Sequence, residues 1–377
     1  MSEAAAPAIA GPAAVKGRSL WADARGRLLR NRAALASLVV LGLVTLACLF
    51  GPAFTGHDYD QVYQDYVRVP ARLAAYPTAD QLPPATDRIA ARIRAKAEDL
   101  SVTGDTMRVT LVGQRALDER LLVYFERSDL FGRARVVEKA DEGRRLVVDV
   151  PVDRRHFLFG TDSNGRDLLT RTLVAGRVSL AIGVLATAVA ILIGVLWGAT
   201  AGYLGGRIDN VMMRVVDILY SLPFIFFVIL LVVFFGRNFV LMFIAVGAVE
   251  WLDMARIVRG QTLSIKRQEY VQAAEAMGVS TGGILRRHVI PNTLGPVVVY
   301  MTLLVPKVIL LESFLSFLGL GVQEPMTSWG VLISEGAKNI QGSTWMLVFP
   351  SVFLTGTLFC LNFIGDGLRD ALDPKDR

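Results

Sequence analysis

Residues 179–204 read SLAIGVLATAVAILIGVLWGATAGYL and contain no charged side chain. A helix over these 26 residues would extend about 39 Å, more than the ~30 Å hydrocarbon core of a bilayer. Five other apolar runs have similar lengths: Ala33–Phe54, Val215–Phe235, Phe239–Ile257, Thr293–Leu318 and Trp345–Gly365. This pattern predicts an all-α polytopic membrane protein with six transmembrane helices.

The composition supports a membrane protein and excludes several other classes. Of the 377 residues, 53% are hydrophobic, whereas soluble domains average about 45–50%. The net charge of +6 comes mainly from short segments beside apolar runs, which indicates membrane topology rather than a nucleic-acid surface. The two cysteines, Cys48 and Cys360, lie inside apolar runs, so neither a disulfide framework nor a CxxC metal or redox motif is predicted.

Lysine and arginine positions set the predicted orientation. A basic stretch, Lys16–Arg32, precedes the first run, and six crossings place residues 205–214, residues 258–292 and the C-terminal tail on the same side. Short basic loops remain in the cytoplasm, so both termini are predicted to be cytoplasmic and the link at 236–238 to lie outside. The predicted segments are a cytoplasmic tail (1–32, with residues 1–15 disordered), a first transmembrane helix (33–54), an extracytoplasmic insert (55–159), a transmembrane core (160–366) that includes a cytoplasmic loop (258–292), and a second cytoplasmic tail (367–377).

The insert at 55–159 mixes both signs of charge and carries local structural patterns. Its periodicities predict a small α+β domain rather than an irregular loop with only local structure, the alternative we considered. The predicted elements are a helix over 84–100 with Asp87 as N-cap, strands over 106–113, 120–126, 133–139 and 144–152, and a hairpin turn at 140–143.

Glycines recur every four residues in the second run, at Gly194, Gly198 and Gly202. They line one helix face and allow two backbones to approach closely. Two interpretations are open: ordinary helix packing within the chain, which we favour, and a seam at a pore or partner subunit.

Charged residues inside the apolar runs are candidates for a pore or gate. Lys307 and Glu312 lie five positions apart in the fifth run, about 140° around a helix, so they should not pair with each other. Each either lines a pore or pairs with another helix, because an isolated charge at mid-membrane costs roughly 2.5–3.5 kcal/mol. In the fourth run, Glu250 is a further gating candidate, and the i,i+3 spacing of Asp253 and Arg256 predicts a pair on the helix surface.

No catalytic motif is found in the sequence. The three histidines, His57, His156 and His288, belong to no HExxH or metal-spaced cluster, and neither a P-loop nor a GxSxG elbow is present. The chain is therefore predicted not to be an enzyme by itself and to carry no cofactor or metal.

A polar segment separates the fourth and fifth apolar runs. Residues 269–292 read EYVQAAEAMGVSTGGILRRHVIPN. The pattern predicts a helix that ends with Gly278 at the C′ position, followed by a second short helix that ends near Pro291. Ala273, Ala274 and Ala276 would leave one helix face nearly bare, which favours docking of a soluble protein. The alternative is a surface helix without a partner, since alanine is simply the best helix former.

These residues resemble the permease subunits of bacterial ABC importers, specifically the C-type subunit of the dipeptide/oligopeptide class. That family carries a cytoplasmic sequence motif in which Glu-Ala-Ala is followed by three residues, Gly, nine residues, Ile, one further residue and Leu-Pro. Here Gln272 stands where the family has Glu, and His288 where it has Ile. The matching positions are Gln272, Ala273, Ala274, Gly278, His288, Ile290 and Pro291. The blocks FGTDSNGRDLLTRTLVAGRVSLAIG (159–183) and ESFLSFLGLGVQEPMTSWG (312–330) are also similar to the family, whereas no resemblance covers the insert.

The resemblance implies a subunit of an ATP-driven importer in the bacterial inner membrane. Its expected partners are a second homologous permease, two cytoplasmic ATPase subunits, a periplasmic binding protein, membrane lipid and a peptide substrate. The motif helix would enter a cleft on one ATPase, and Arg286 or Arg287 would pair with ATPase acids. The implied coupling residues are Gln272, Ala273, Ala274, Glu275, Gly278, Arg286, Arg287, His288 and Pro291.

Three alternatives remain open at this stage. The same class imports nickel, opines, glycosides or antibiotic peptides. An ion-coupled secondary transporter would show inverted repeats and broken helices. A membrane receptor would need a cytoplasmic signalling domain, for which the tail after Gly365 is short.

Overall fold

The computed structural model describes residues 20–236 and 239–372. Predictions for residues 1–15, for Lys16 and for the last two positions of the 236–238 link lie outside these residues, as does the end of the C-terminal tail. Within the described residues, the α-helices are α1 Leu20–Arg30, α2 Arg32–Phe50, α3 Leu82–Arg92, α4 Val123–Glu126, α5 Leu168–Leu204, α6 Gly206–Ser221, α7 Phe224–Phe235, α8 Phe239–Ile265, α9 Glu269–Ala276, α10 Thr281–Ile284, α11 Ile290–Phe317, α12 Trp329–Lys338 and α13 Trp345–Leu372.

Four helical segments among the described residues are long and apolar enough to cross a membrane: Arg32–Phe54, Leu168–Leu204, Thr281–Phe317 and Trp345–Leu372. The second of these starts well before the apolar run. Asp167 caps it, since its carboxylate accepts a hydrogen bond from the Thr170 amide at 2.7 Å. Burial raises the pKa of Asp167, while its hydrogen bonds with Thr170 act in the opposite direction.

The third apolar run is not one helix, contrary to the prediction for Val215–Phe235. It is divided between α6 and α7, with Leu222 in an extended conformation (φ −77°, ψ 128°). Pro223 explains the break, because its ring disfavours a helical conformation in the preceding residue. The 12 residues of α7 extend only about 18 Å, too short to cross the ~30 Å hydrocarbon core alone.

Helix α5 packs along α8 through the glycine face. A Cβ atom at Gly194 would lie 2.6 Å from the Met254 Cβ, and one at Gly202 would lie 2.9 Å from the Arg259 carbonyl oxygen. Gly198 faces the Ala255 carbonyl even more closely. The seam is therefore helix packing within the chain, the interpretation favoured from the sequence.

Residues 55–159 contain an antiparallel sheet of four strands, β1 Ala95–Thr103, β2 Thr106–Gly113, β3 Arg135–Ala140 and β4 Arg145–Pro151, in the order β1-β2-β4-β3. Val109 lies opposite Val148, and Ala140 opposite Arg145 across the β3–β4 turn. One face of the sheet joins a separate hydrophobic core that includes Tyr63, Tyr66, Ile89, Met107, Phe125, Leu146 and Phe157.

Three predictions for this region are wrong. The helix predicted over 84–100 is α3, which ends at Arg92, and the following residues form β1. Asp87 does not cap α3, because this helix begins five residues earlier with proline in its first turn. The segment 120–126, predicted as a strand, forms a 3₁₀ turn and α4. The strands predicted over 106–113, 133–139 and 144–152 are present as β2, β3 and β4.

A charge cluster with a buried centre lies at the start of α5. We call Asp162, Arg166, Arg171, Glu324 and Glu335 the Asp162 network. The Asp162 carboxylate accepts hydrogen bonds from Arg166 Nε at 2.7 Å and from Arg171. Arg171 also reaches Glu335 at 3.0 Å, and Arg166 reaches Glu324 at 2.9 Å. The network therefore holds the start of α5 against α12 and the loop before it.

Candidate functional site

The polar segment forms a compact turn after α8. Helix α9 ends as the sequence predicts, with Gly278 at φ +78°, a backbone conformation that favours glycine. The Val279 amide donates to the Ala274 carbonyl at 3.1 Å, and the Gly278 amide to the Glu275 carbonyl at 3.0 Å. These two bonds make a Schellman cap, so the direction in which the chain leaves α9 is fixed by backbone geometry.

The two faces of α9 differ in exposure. Val271 and Ala274 are buried in the chain's own core together with Met254, Val258 and Val289. The prediction of a bare alanine face is therefore only partly right. Ala273 is exposed, but Ala274 packs inward and is not available for docking. We define the coupling surface as the exposed residues of this turn, which are Gln272, Ala273, Glu275, Ala276, Met277, Gly278, Arg286, Arg287 and Pro291.

The second half of the segment is continuous with α11, which corrects the prediction of a separate short helix. Ser280 caps α10 through its hydroxyl, and a π-helical turn, Leu285–Val289, then leads into α11. The π turn lies just before Pro291, which has no N–H to donate to a carbonyl one α-turn back. The part of the coupling surface that holds Arg286, Arg287 and Pro291 is therefore continuous with α11, whereas α9 is joined to it through the turn at Gly278.

The basic residues of this segment differ in their surroundings. His288 is half-buried, and its ring lies 6.2 Å from that of Tyr270. Arg286 and Arg287 are exposed and form no ion pair with any residue in the described ranges. At the start of the loop, Arg259 donates two hydrogen bonds of 2.6 Å to Asp209 on α6. This bidentate pair ties the end of α8 to α6.

Within the long helices, Lys307 lies between two carboxylates. Its Nζ is 2.8 Å from Glu250 Oε2 and 3.3 Å from Asp253 Oδ2, both on α8. We call these three residues the Lys307 triad. The predicted Asp253–Arg256 pair is therefore wrong, and Arg256 instead lies 2.9 Å from Asp217 on α6 and stacks over the Tyr220 ring. Asp253 and Arg256 therefore both find their partners on other helices.

Glu312 lies apart from the triad, and as predicted it does not pair with Lys307. Its carboxylate is fully buried, and it accepts hydrogen bonds from Ser316 at 2.7 Å and from Ser179 at 3.3 Å. The Ser179 hydroxyl in turn accepts a hydrogen bond from the Trp329 amide at 3.2 Å. Glu312 thus connects α5, α11 and α12, and in this structure it lines no open surface.

A cavity of about 270 Å³ adjoins the Lys307 triad. Its apolar walls come from α6, α8, α11 and the break before α7, and Tyr220 adds a phenol ring. The lining residues are Leu219, Tyr220, Leu222, Val249, Glu250, Asp253, Lys307 and Leu311. Glu250 is buried, whereas the Lys307 side chain is 52% exposed and that of Asp253 is 28% exposed. The triad therefore presents charge to an accessible space.

Comparison with known proteins places the chain in a family. Residues 176–377 match the family described as binding-protein-dependent transport system inner membrane component. The chain belongs to this family. Residues 19–84 also match the N-terminal transmembrane domain of oligopeptide transport permease C. The family assignment supports a multi-pass inner-membrane protein that works with other transporter subunits.

Relatives within the family are similar over nearly the whole chain. The oligopeptide transport system permease protein OppC of Escherichia coli K12 is 47% identical over 363 residues, which cover 96% of this chain and 94% of that protein. OppC of Haemophilus influenzae is 42% identical over the same share of this chain. The dipeptide permease DppC of Bacillus subtilis is 49% identical over 61% of this chain and 72% of its own length. Among solved structures, an inward-facing MetNI methionine ABC transporter gives a TM-score of 0.45 at 19% identity, over 54% of this chain and 96% of that chain.

The relatives also correct one expectation about residues 55–159. The sequence blocks suggested that this region departs from the family. Alignments that cover 96% of the chain must include it, so it has a counterpart in both OppC proteins.

The sequence failed to identify Asp217 and Tyr220 as partners of Arg256, and it missed Arg171 at the centre of the Asp162 network. Asp217 lies inside the third apolar run, and Arg171 shortly before the second. Which helix each faces depends on packing, and no local spacing signals that.

Proposed function

We propose that this chain is the C-type permease subunit of an ATP-driven, binding-protein-dependent importer of oligopeptides. It would pair with a second homologous permease, receive peptide from a periplasmic binding protein and couple to two cytoplasmic ATPase subunits. The names of its relatives support the substrate class. ATP chemistry would belong to the ATPases, and this chain would need no cofactor.

The proposed topology has six crossings and cytoplasmic termini. The first, second, fifth and sixth crossings would be α2, α5, α11 and α13. The third would combine the end of α6 with α7, and the fourth would be α8. Residues 55–159 would then lie outside the cytoplasm, and the coupling surface inside, in keeping with the basic residues around it.

The coupling surface is the observation that carries the proposal. Ala273 and Gly278 offer almost no side-chain bulk, and the exposed Met277 between them adds an adaptable apolar contact. A soluble partner can therefore approach the backbone of α9 closely, while Arg286 and Arg287 are free to pair with its acidic groups.

Continuity with α11 supports a route for coupling. From Ile290 to Lys307 the helix runs about 25 Å without an end. When the ATPases close on ATP, displacement of the coupling surface would move α11 as one element and shift Lys307 relative to α8. The path would then open alternately to the two sides of the membrane.

A first prediction tests docking. Ala273→Glu adds a charged side chain to an exposed helical position and leaves the chain's own core unchanged. We expect the variant to enter the membrane normally but to lose co-purification with the ATPase subunits and peptide-stimulated ATP hydrolysis by roughly tenfold or more, since a charge buried without a partner in an interface is costly.

The control is Ala91→Glu, which makes the same change at an exposed position of α3 and should leave ATPase binding intact. Ala274→Glu is unsuitable because Ala274 is buried in the chain's own core. Normal co-purification and normal stimulated hydrolysis in the Ala273 variant would refute docking at this surface.

Two other functions can be distinguished from the proposed one by experiment. The same class of importer carrying nickel, an opine, a glycoside or an antibiotic peptide would differ in the ligand bound by its partner binding protein. An ion-coupled secondary transporter is favoured only by the Lys307 triad, since carriers of that kind use intramembrane charge pairs. Uptake by such a carrier would depend on an ion gradient rather than on ATP hydrolysis.

A further inference from the structure

The charges of the Lys307 triad do not cancel. Two carboxylates face one ammonium group, so the ionised triad has a net charge of −1. The ammonium offers three N–H donors, and the two carboxylates together offer about eight acceptor sites. Most of the acceptor capacity of Glu250 and Asp253 is therefore unused by Lys307.

Apolar lipid is an unsuitable neighbour for this group. A charge at mid-membrane costs roughly 2.5–3.5 kcal/mol even on the lower scales, and the triad holds three. The half-exposed Lys307 and the partly exposed Asp253 must therefore face water, a partner or cargo. The adjoining cavity provides that space, and its volume of about 270 Å³ is close to the lower end for ligand pockets, which is ~300 Å³.

We propose that the Lys307 triad and its cavity bind a primary ammonium group of the cargo peptide during translocation. This inference rests on the proposed function and specifies which part of the substrate the permease contacts. Asp253 is the primary acceptor because it is the more exposed carboxylate. Glu250 holds Lys307 in place from its buried position. The apolar walls, Leu219, Leu222, Val249 and Leu311, contact the peptide without selecting particular side chains.

An ammonium fits this site better than a carboxylate. A carboxylate would compete with two existing acids for Lys307 and raise the local charge to −2. An ammonium would neutralise the site and occupy acceptor positions that Lys307 leaves open. Every unmodified peptide has one ammonium at its N-terminus, so recognition there would suit cargo of varied sequence. A lysine side chain carries the same group.

The test combines a variant with a modified substrate. Uptake of trialanine and of N-acetyl-trialanine is measured in proteoliposomes that contain this chain with its partner permease, ATPases and binding protein. Wild type and Asp253→Asn are compared with the same binding protein, so its own preference cancels in the ratio. We expect Asp253→Asn to reduce uptake of the free peptide by roughly tenfold, as for loss of one charged hydrogen bond, and to leave uptake of the acetylated peptide unchanged.

Two further variants make the result specific. Asp253→Glu keeps the charge and should restore the preference for the free peptide. Asp217→Asn, a matched change at a residue that pairs with Arg256 outside the cavity lining, should leave the free-to-acetylated ratio at the wild-type value.

A third substrate distinguishes the two sources of an ammonium group. If N-acetyl-Lys-Ala-Ala is taken up at the rate of free trialanine in wild type and loses that rate in Asp253→Asn, the site accepts a side-chain ammonium as well. If it behaves like N-acetyl-trialanine, the site selects the α-amino group.

Equal effects of Asp253→Asn on free and acetylated peptides would overturn the inference while leaving peptide import intact. Failure of the wild-type complex to import any peptide would instead overturn the proposed function.

Discussion

The Asp162 network and the Lys307 triad use the same chemistry in different surroundings. In both, a cation contacts two carboxylates and joins separate parts of the chain. The side chains of Asp162 and Arg171 are 0% and 2% exposed, whereas Lys307 is half-exposed beside a cavity. The first arrangement is closed and joins parts of the fold, and the second is open to a ligand. Accessibility, rather than the presence of paired charges, separates a structural cluster from a candidate binding site.

The largest loss of stability should come from a change in the Asp162 network. Arg171→Met removes the buried cation shared by Asp162 and Glu335 and leaves Asp162 paired with Arg166. We expect the free energy of unfolding to fall by about 3 kcal/mol, the lower end of the cost of breaking a buried ion pair. Unfolding of the detergent-solubilised chain by heat or denaturant measures this. An unfolding midpoint equal to that of wild type would contradict a structural role for the network.

A smaller loss of stability should come from a change in the Lys307 triad. Asp253→Asn leaves Lys307 paired with Glu250, so the free energy of unfolding should change by less than about 1 kcal/mol, even where uptake of free peptides falls. The same unfolding assay checks this. A loss as large as that of Arg171→Met would show that the triad is structural, and the comparison between the two clusters would fail.

The smallest change in stability should come from breaking an exposed ion pair on the sheet. Arg108 donates two hydrogen bonds to Asp149 across β2 and β4, at 2.6 and 2.7 Å, and the Asp149 hydrogen bond raises the pKa of Arg108. Both side chains reach solvent, where water replaces the lost contacts. Arg108→Met should therefore leave the unfolding midpoint within experimental scatter, and a clear decrease would show that geometry, rather than burial, determines the strength of these pairs.

Much of the fold could be predicted from the sequence where a pattern is local. The apolar runs, the turn at Gly278 and strands β2, β3 and β4 all depend on spacing over a few residues. Where two local patterns compete, the prediction failed. The helical periodicity of residues 84–92 continues into AKAEDLSVT, yet these residues pair with β2 because the sheet offers partners that an isolated helix lacks.

Less of the candidate site could be predicted, and the reason is physical. The motif that includes Gln272 and Gly278 can be recognised from sequence, but the inward direction of Ala274 depends on how α9 packs on α5 and α8. Asp253 and Arg256 have the spacing of a pair, but Lys307 and Asp217 approach from other helices and replace it. Helices that are apolar on all sides give no sequence signal for which face meets which neighbour.

The energy source of uptake separates an ATP-driven importer from an ion-coupled carrier. Proteoliposomes containing this chain, its partner permease, the two ATPases and the binding protein are loaded with ATP or with a non-hydrolysable analogue, and peptide accumulation is measured with and without ionophores. We expect accumulation that requires ATP hydrolysis and persists after ion gradients collapse. Accumulation that continues without ATP and stops when the ion gradient is removed would contradict this expectation.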